Sequence, residues 1–187
     1  GAPAKFTTWR PAQERAVLRH MFGEKRFTVS ALPTGTGKSL MYMATAAMTG
    51  ERTCVCTSTK GLQNQLMSDF REIGLVDVRG ANSYSCLALA EGQFGNPVSD
   101  SCDNGPCRNG VPCSRRQSGC LYYDALERAR DAKLVVTNYA FWLYQQNMGK
   151  GIGAFDRLVL DEAHDAMEWL ASYLSGEITK IEVSLVG

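Results

Sequence analysis

Apolar residues along the chain alternate between helical and strand spacing, and the alternation predicts an α/β order. Trp9–Met21 carries Trp9, Ala12, Ala16, Val17 and His20 near one helical face. Pro11 falls in the first turn of that helix, where its missing N–H is tolerated. Phe27–Ala31 is a short β-branched run and predicts a strand. Turn-rich Leu32–Gly37 follows, then a predicted helix from Lys38 closed by Gly50. Thr53–Thr57 reads as a buried strand and Lys60–Phe70 as the helix after it. This order predicts a parallel sheet with right-handed crossovers. Near Arg79 the pattern breaks. From Gly92 to Gly119 only Phe94, Val98 and Val111 are ordinary apolar residues, too few to offset the entropy of ordering. That segment is either disordered or stapled. Regular spacing returns in Leu121–Ala132 (helix), Lys133–Thr137 (strand), Tyr139–Gln146 (helix), Asp156–Asp161 (strand), 164–174 (helix) and Glu177–Val186 (strand). Residues 1–79 and 121–187 are then one α/β domain, and 80–120 a cysteine-rich insertion.

Composition narrows the class without naming a function. A length of 187 residues suits one domain, and 44% hydrophobic with 21% charged residues excludes disordered and fibrous classes. No apolar run approaches the roughly 18–20 residues of a membrane span, and no signal-peptide stretch opens the chain. A net charge of +1 gives no global cationic field, so nucleic acid would have to meet a local patch. Seven cysteines without a secretory signal point to a cytoplasmic protein whose thiols hold metal rather than disulfides.

Two motifs carry the chemistry. Leu32-Pro-Thr-Gly-Thr-Gly-Lys-Ser39 lies between a predicted strand and a predicted helix, the setting of a phosphate-binding loop. Its glycines let backbone N–H groups converge on an anion, aided by the helix N-terminus. Lys38 would reach the β- and γ-phosphates and the Ser39 hydroxyl would hold Mg²⁺. Asp161-Glu-Ala-His164 ends the apolar run Arg157–Leu160, placing two carboxylates at the ligand-binding edge of a parallel sheet. There Asp161 can hold Mg²⁺ and Glu162 can orient or deprotonate the attacking water.

These motifs together resemble motifs I and II of superfamily 2 helicases, with Leu32 where the general phosphate-loop pattern has Gly. Trp9-Arg-Pro-Ala-Gln13 resembles the Q motif, Val55–Gln63 the TxTxxLQ motif, and Leu134–Tyr139 the VVTNH-type strand of the same proteins. The resemblance implies an α/β, RecA-like P-loop NTPase fold with helices on both faces of a parallel sheet. It implies that Arg10 and Gln13 meet the adenine, and that Pro33, Thr34, Gly35, Thr36, Gly37, Lys38, Ser39, Asp161 and His164 meet the rest of the nucleotide. Catalysis falls to Lys38, Asp161 and Glu162, and Val55–Gln63 would touch the backbone of single-stranded DNA.

Cys86, Cys102, Cys107, Cys113 and Cys120 lie between the two nucleotide motifs. Gly80–Cys86 resembles the GRxNYxC sequence, and Cys120–Ala125 the CPYYxA sequence, that flank the iron–sulfur insertion of XPD-like and DinG-like helicases. The resemblance implies a 4Fe–4S cluster on Cys86, Cys107, Cys113 and Cys120, with Cys102 spare; Cys102 in place of Cys113 also fits the spacing. Four thiolates alone suit zinc as well. Cys54 and Cys56, on a predicted core strand, read as buried free thiols. Arg79, Arg108, Arg115, Arg116, Lys60 and Arg71 could line a phosphate path, and Tyr84, Tyr122 and Tyr123 could stack on bases.

The implied protein drives 5′-to-3′ movement on single-stranded DNA with ATP and Mg²⁺. These 187 residues would be its N-terminal portion, lacking the second RecA-like domain and showing little turnover alone. The competing reading is a zinc-stapled nucleic-acid-binding module with a vestigial phosphate loop.

Overall fold

The computed structural model describes residues 8–92, 100–148 and 151–175. Four apolar runs become strands: β1 (Thr53–Thr57), β2 (Leu75–Asp77), β3 (Leu134–Asn138) and β4 (Arg157–Leu160). They form one sheet in the order β2-β3-β1-β4, and every pairing is parallel. Val55 sits in register with Val136 on one side and Val159 on the other. All five residues of β1 are buried, as expected of a central parallel strand covered on both faces.

Side chains alternate between two layers of helices. On one face Val55, Leu134 and Val136 pack with Leu40 and Met43 of α2 (Lys38–Thr49) and Leu66 and Phe70 of α3 (Lys60–Phe70). On the other, Val135 packs with Tyr122, Leu126 and Ala129 of α5 (Leu121–Asp131), while Cys54 and Cys56 meet Tyr139 and Trp142 of α6 (Tyr139–Met148). The result is the α/β, RecA-like arrangement that the spacing and the motifs predict. The remaining helices are α1 (Pro11–Phe22), α4 (Leu87–Ala90) and α7 (Ala166–Leu174). Gly50 closes α2 at φ 66°, a left-handed cap that glycine adopts without strain. Among the described residues no helix is long and apolar enough to cross a membrane.

One strand expectation fails. Phe27–Ala31 forms no strand, and Phe27 and Val29 are 78% and 88% exposed. β-Propensity needs a partner, and this segment has none: a cleft lined by Val29–Pro33 and Leu158–Leu160 separates it from β4. Conversely, β2 is too short to announce itself in the sequence and exists through its pairing with β3. The strand expected at Glu177–Val186 lies outside the described residues.

The insertion has little regular structure. Between residues 100 and 120 it is built from turns, two 3-10 segments and a single bridge from Ser85 to Ser101. Cys86, Cys102 and Cys120 are buried against Ala88, Leu89 and Tyr122, so sulfur supplies much of its apolar contact with the domain.

Candidate functional site

The glycine-rich loop leads directly into α2, whose first residue is Lys38. Gly35 and Gly37 have φ of 74° and 79°, the left-handed values that let successive N–H groups face one side. Gly37 also admits close packing, since a Cβ there would lie 2.5 Å from Gln13 Nε2. Gln13 Nε2 donates to Thr36 O at 2.8 Å, and Gln13 Oε1 accepts from Arg10 N at 2.9 Å. Arg10 Nη1 donates to Gly35 O at 3.3 Å. Gln13 and Arg10 thus brace the loop's backbone in this structure. Thr36 Oγ1 in turn donates to Pro33 O at 2.7 Å, while Thr34 is exposed.

Asp161 and Glu162 follow β4 and meet the loop from across the sheet edge. Lys38 Nζ lies 2.9 Å from Glu162 Oε1. Tyr42 Oη donates to Asp161 Oδ2 at 3.1 Å, Tyr139 Oη donates to Asp161 O at 2.8 Å, and Asp161 N donates to Cys56 O at 2.9 Å. Burial pushes the Asp161 carboxyl above the usual range, and the Tyr42 hydrogen bond opposes that shift. Glu162 has φ 51°, the one left-handed non-glycine among the described residues, which marks stored strain at a site. His164, 74% exposed in its side chain, lies 3.5 Å from Glu162 Oε2. Pro33, Lys38, Asp161, Glu162 and His164 line one cleft of about 760 Å³. The sequence reading missed Tyr42 and Tyr139. Tyr42 was legible in part, because it stands one helical turn beyond Lys38 on the same face.

All five insertion cysteines line a single narrow cavity with Arg115, Tyr122 and Tyr123. Cys102 is pushed up to about 12 by burial and by neighbouring Cys120 and Cys86, and its thiol donates to Ser85 O at 3.4 Å. Burial also raises Cys107. Gly105 keeps this wall open: a Cβ there would lie 3.1 Å from both Cys86 Sγ and Cys102 O. Among the described residues no three His, Cys, Asp or Glu side chains are placed to hold one metal ion. Thiolates are the donor type that zinc and iron–sulfur groups share.

Of the six cations picked from the sequence, Lys60 and Arg108 share one cleft. It measures about 400 Å³ where the insertion meets the carboxyl ends of β1 and β3, and Asn82, Tyr122, Tyr144 and Trp169 also line it. Arg71 and Arg79 line a second cleft; Arg79 also pairs with Asp77, Arg115 with Glu91, and Arg116 lies over the Tyr123 ring at 5.0 Å. Gln63, fully buried, donates to Val78 O and Val136 O and so fastens strands together.

Residues 6–174 match the family described as type III restriction enzyme, res subunit, and the chain belongs to that family. The chain is also similar to the ATP-dependent DNA helicase YoaA of Haemophilus influenzae, at 22% identity over an alignment 235 positions long. That alignment covers 91% of this chain and 35% of the relative, so the chain spans about a third of the length of the protein it matches.

Proposed function

We propose that this chain is the ATP-binding portion of an ATP-dependent DNA helicase of superfamily 2, with residues 80–120 as an iron–sulfur insertion. The observation that carries the reading is the meeting of Lys38 with Glu162, and of the Lys38 helix with Asp161, at the carboxyl edge of a parallel sheet. Family membership and the helicase relative support it.

In this reading the loop's N–H groups and Lys38 hold the β- and γ-phosphates. Mg²⁺, held through Ser39 and Asp161, supplies charge neutralisation on the phosphate oxygens. Glu162, released from Lys38 by the incoming phosphates, orients the attacking water and accepts its proton. Gln13 and Arg10 link the adenine side to the loop through Thr36 and Gly35. Single-stranded DNA lies along the cleft of Lys60 and Arg108, with Tyr144 and Trp169 available for stacking. Movement with 5′-to-3′ polarity, and the second RecA-like domain it needs, belong to the full-length protein.

Cys86, Cys107, Cys113 and Cys120 would hold the cluster, which supplies a rigid staple for an insertion poor in apolar residues. Zinc needs its sulfurs about 2.3 Å from one centre. The likeness of Gly80–Cys86 and Cys120–Ala125 to the flanks of iron–sulfur insertions is what favours the 4Fe–4S group over zinc. Cys102, the deepest of the five and already bonded to Ser85, is the spare thiol.

Equilibrium titration with a fluorescent ATP analogue tests the nucleotide reading. Lys38→Ala should abolish Mg-ATP binding with the fold retained, because the phosphates lose their cationic side chain. Unchanged affinity refutes the assignment. Anaerobically purified protein should be brown with stoichiometric iron, and a colourless chain holding one zinc would replace the cluster with a zinc staple.

A further inference from the structure

We propose that Tyr42 is a positioning residue that aims the carboxylate of Asp161, one of the side chains assigned to Mg²⁺, and thereby sets the Mg²⁺ requirement of nucleotide binding. The proposal rests on the nucleotide reading above. Tyr42 is buried on α2, one turn after Lys38, and its ring packs in the core layer with Leu40 and Met43. Packing explains the ring and leaves the hydroxyl unexplained. That hydroxyl donates to Asp161 Oδ2 at 3.1 Å. Tyr42 thus reaches from the helix that begins at Lys38 to the carboxylate that follows β4.

The rest of Asp161 is already fixed. Its N–H donates to Cys56 O and its carbonyl accepts from Tyr139 Oη, so the backbone cannot drift. What remains free is the rotation of the carboxylate, and Tyr42 removes it with a charge-assisted bond. Mg²⁺ demands near-ideal octahedral geometry and tolerates a misaimed ligand poorly. A carboxylate aimed before the metal arrives lowers the Mg²⁺ concentration at which nucleotide binding saturates.

The test is Tyr42→Phe, which keeps the ring and removes the hydroxyl. ATP-analogue fluorescence is titrated over a range of Mg²⁺ concentrations, and bound Mn²⁺ is followed by its loss of free-ion paramagnetic resonance signal. The Mg²⁺ midpoint should rise roughly five- to tenfold, the scale of one hydrogen bond's net contribution, with Mg²⁺-free nucleotide affinity unchanged. Adding Tyr42→Phe to Asp161→Asn should change nothing further, because Tyr42 acts through Asp161. Equal midpoints for Tyr42→Phe and the unsubstituted chain overturn the proposal alone. Additive effects in the double variant, or unfolding of Tyr42→Phe, overturn it in favour of a packing role. Failure of the unsubstituted chain to bind nucleotide overturns the nucleotide reading and this proposal together.

Discussion

Glu162 holds two costs at once: a left-handed backbone and a carboxylate turned onto Lys38. Both make sense if the residue is released when phosphate takes its place on the lysine. Glu162→Gln should therefore keep Mg-ATP affinity, or tighten it up to several-fold, while ATP hydrolysis falls by orders of magnitude. Isothermal titration and a phosphate-release assay check the two halves. A loss of binding as severe as that of Lys38→Ala would assign Glu162 to ground-state binding. At this scale the sequence was most informative where side-chain type and chain position agree. Lys38 and Glu162 were legible because glycine-loop and strand-end positions restrict what can stand there. The hydroxyl roles of Tyr42 and Tyr139 were not, although the helical spacing of Tyr42 from Lys38 was, because phenols on buried helices look like ordinary core until their hydroxyl partners are known.

Arg52 shows what an element needs beyond its own spacing. It precedes β1 and donates to the carbonyls of Ala129, Arg130 and Ala132 at the end of α5, and to those of Ile152 and Ala154 in the loop before β4. Its guanidinium also lies 4.0 Å from the Phe155 ring centroid. Helix ends leave such carbonyls unpaired, and a cation there opposes the helix dipole. Replacing it by Met should lower unfolding free energy by about 2–4 kcal/mol, the cost of leaving several partly buried acceptors unpaired. Lys should recover little, since it lacks the planar fork. Urea unfolding measures both, and a change below about 0.5 kcal/mol for Met would show that water satisfies these carbonyls. Nothing in the apolar pattern marks Arg52, because its partners are backbone atoms up to 102 residues away. The same blindness to partners made Phe27–Ala31 read as a strand: β-branched residues favour extension locally, and only the sheet decides whether a segment is paired. Helices α2, α3 and α5, which bury a face of their own, were legible almost to the residue.

At the scale of the whole molecule, sheet and insertion have different sources of order. The sheet has a core on each face, whereas the insertion leans on buried sulfur. Cys107→Ser should remove iron and loosen residues 100–120 while the sheet stays folded; Cys102→Ser should leave iron content nearly unchanged. Full iron occupancy in the Cys107 variant, or collapse of the sheet in both, would contradict that division. Composition marks the break in texture near Arg79 but not where the segment docks: its place beside Lys60 depends on contacts between distant turns. The central claim, that nucleotide binds where the glycine loop meets the strand-end carboxylates, is tested most directly by hydrogen exchange with and without saturating Mg-ATP. Protection should appear in 10–13, 33–40 and 160–164 and leave 100–120 unchanged; protection confined to other segments, or none at saturation, would contradict it.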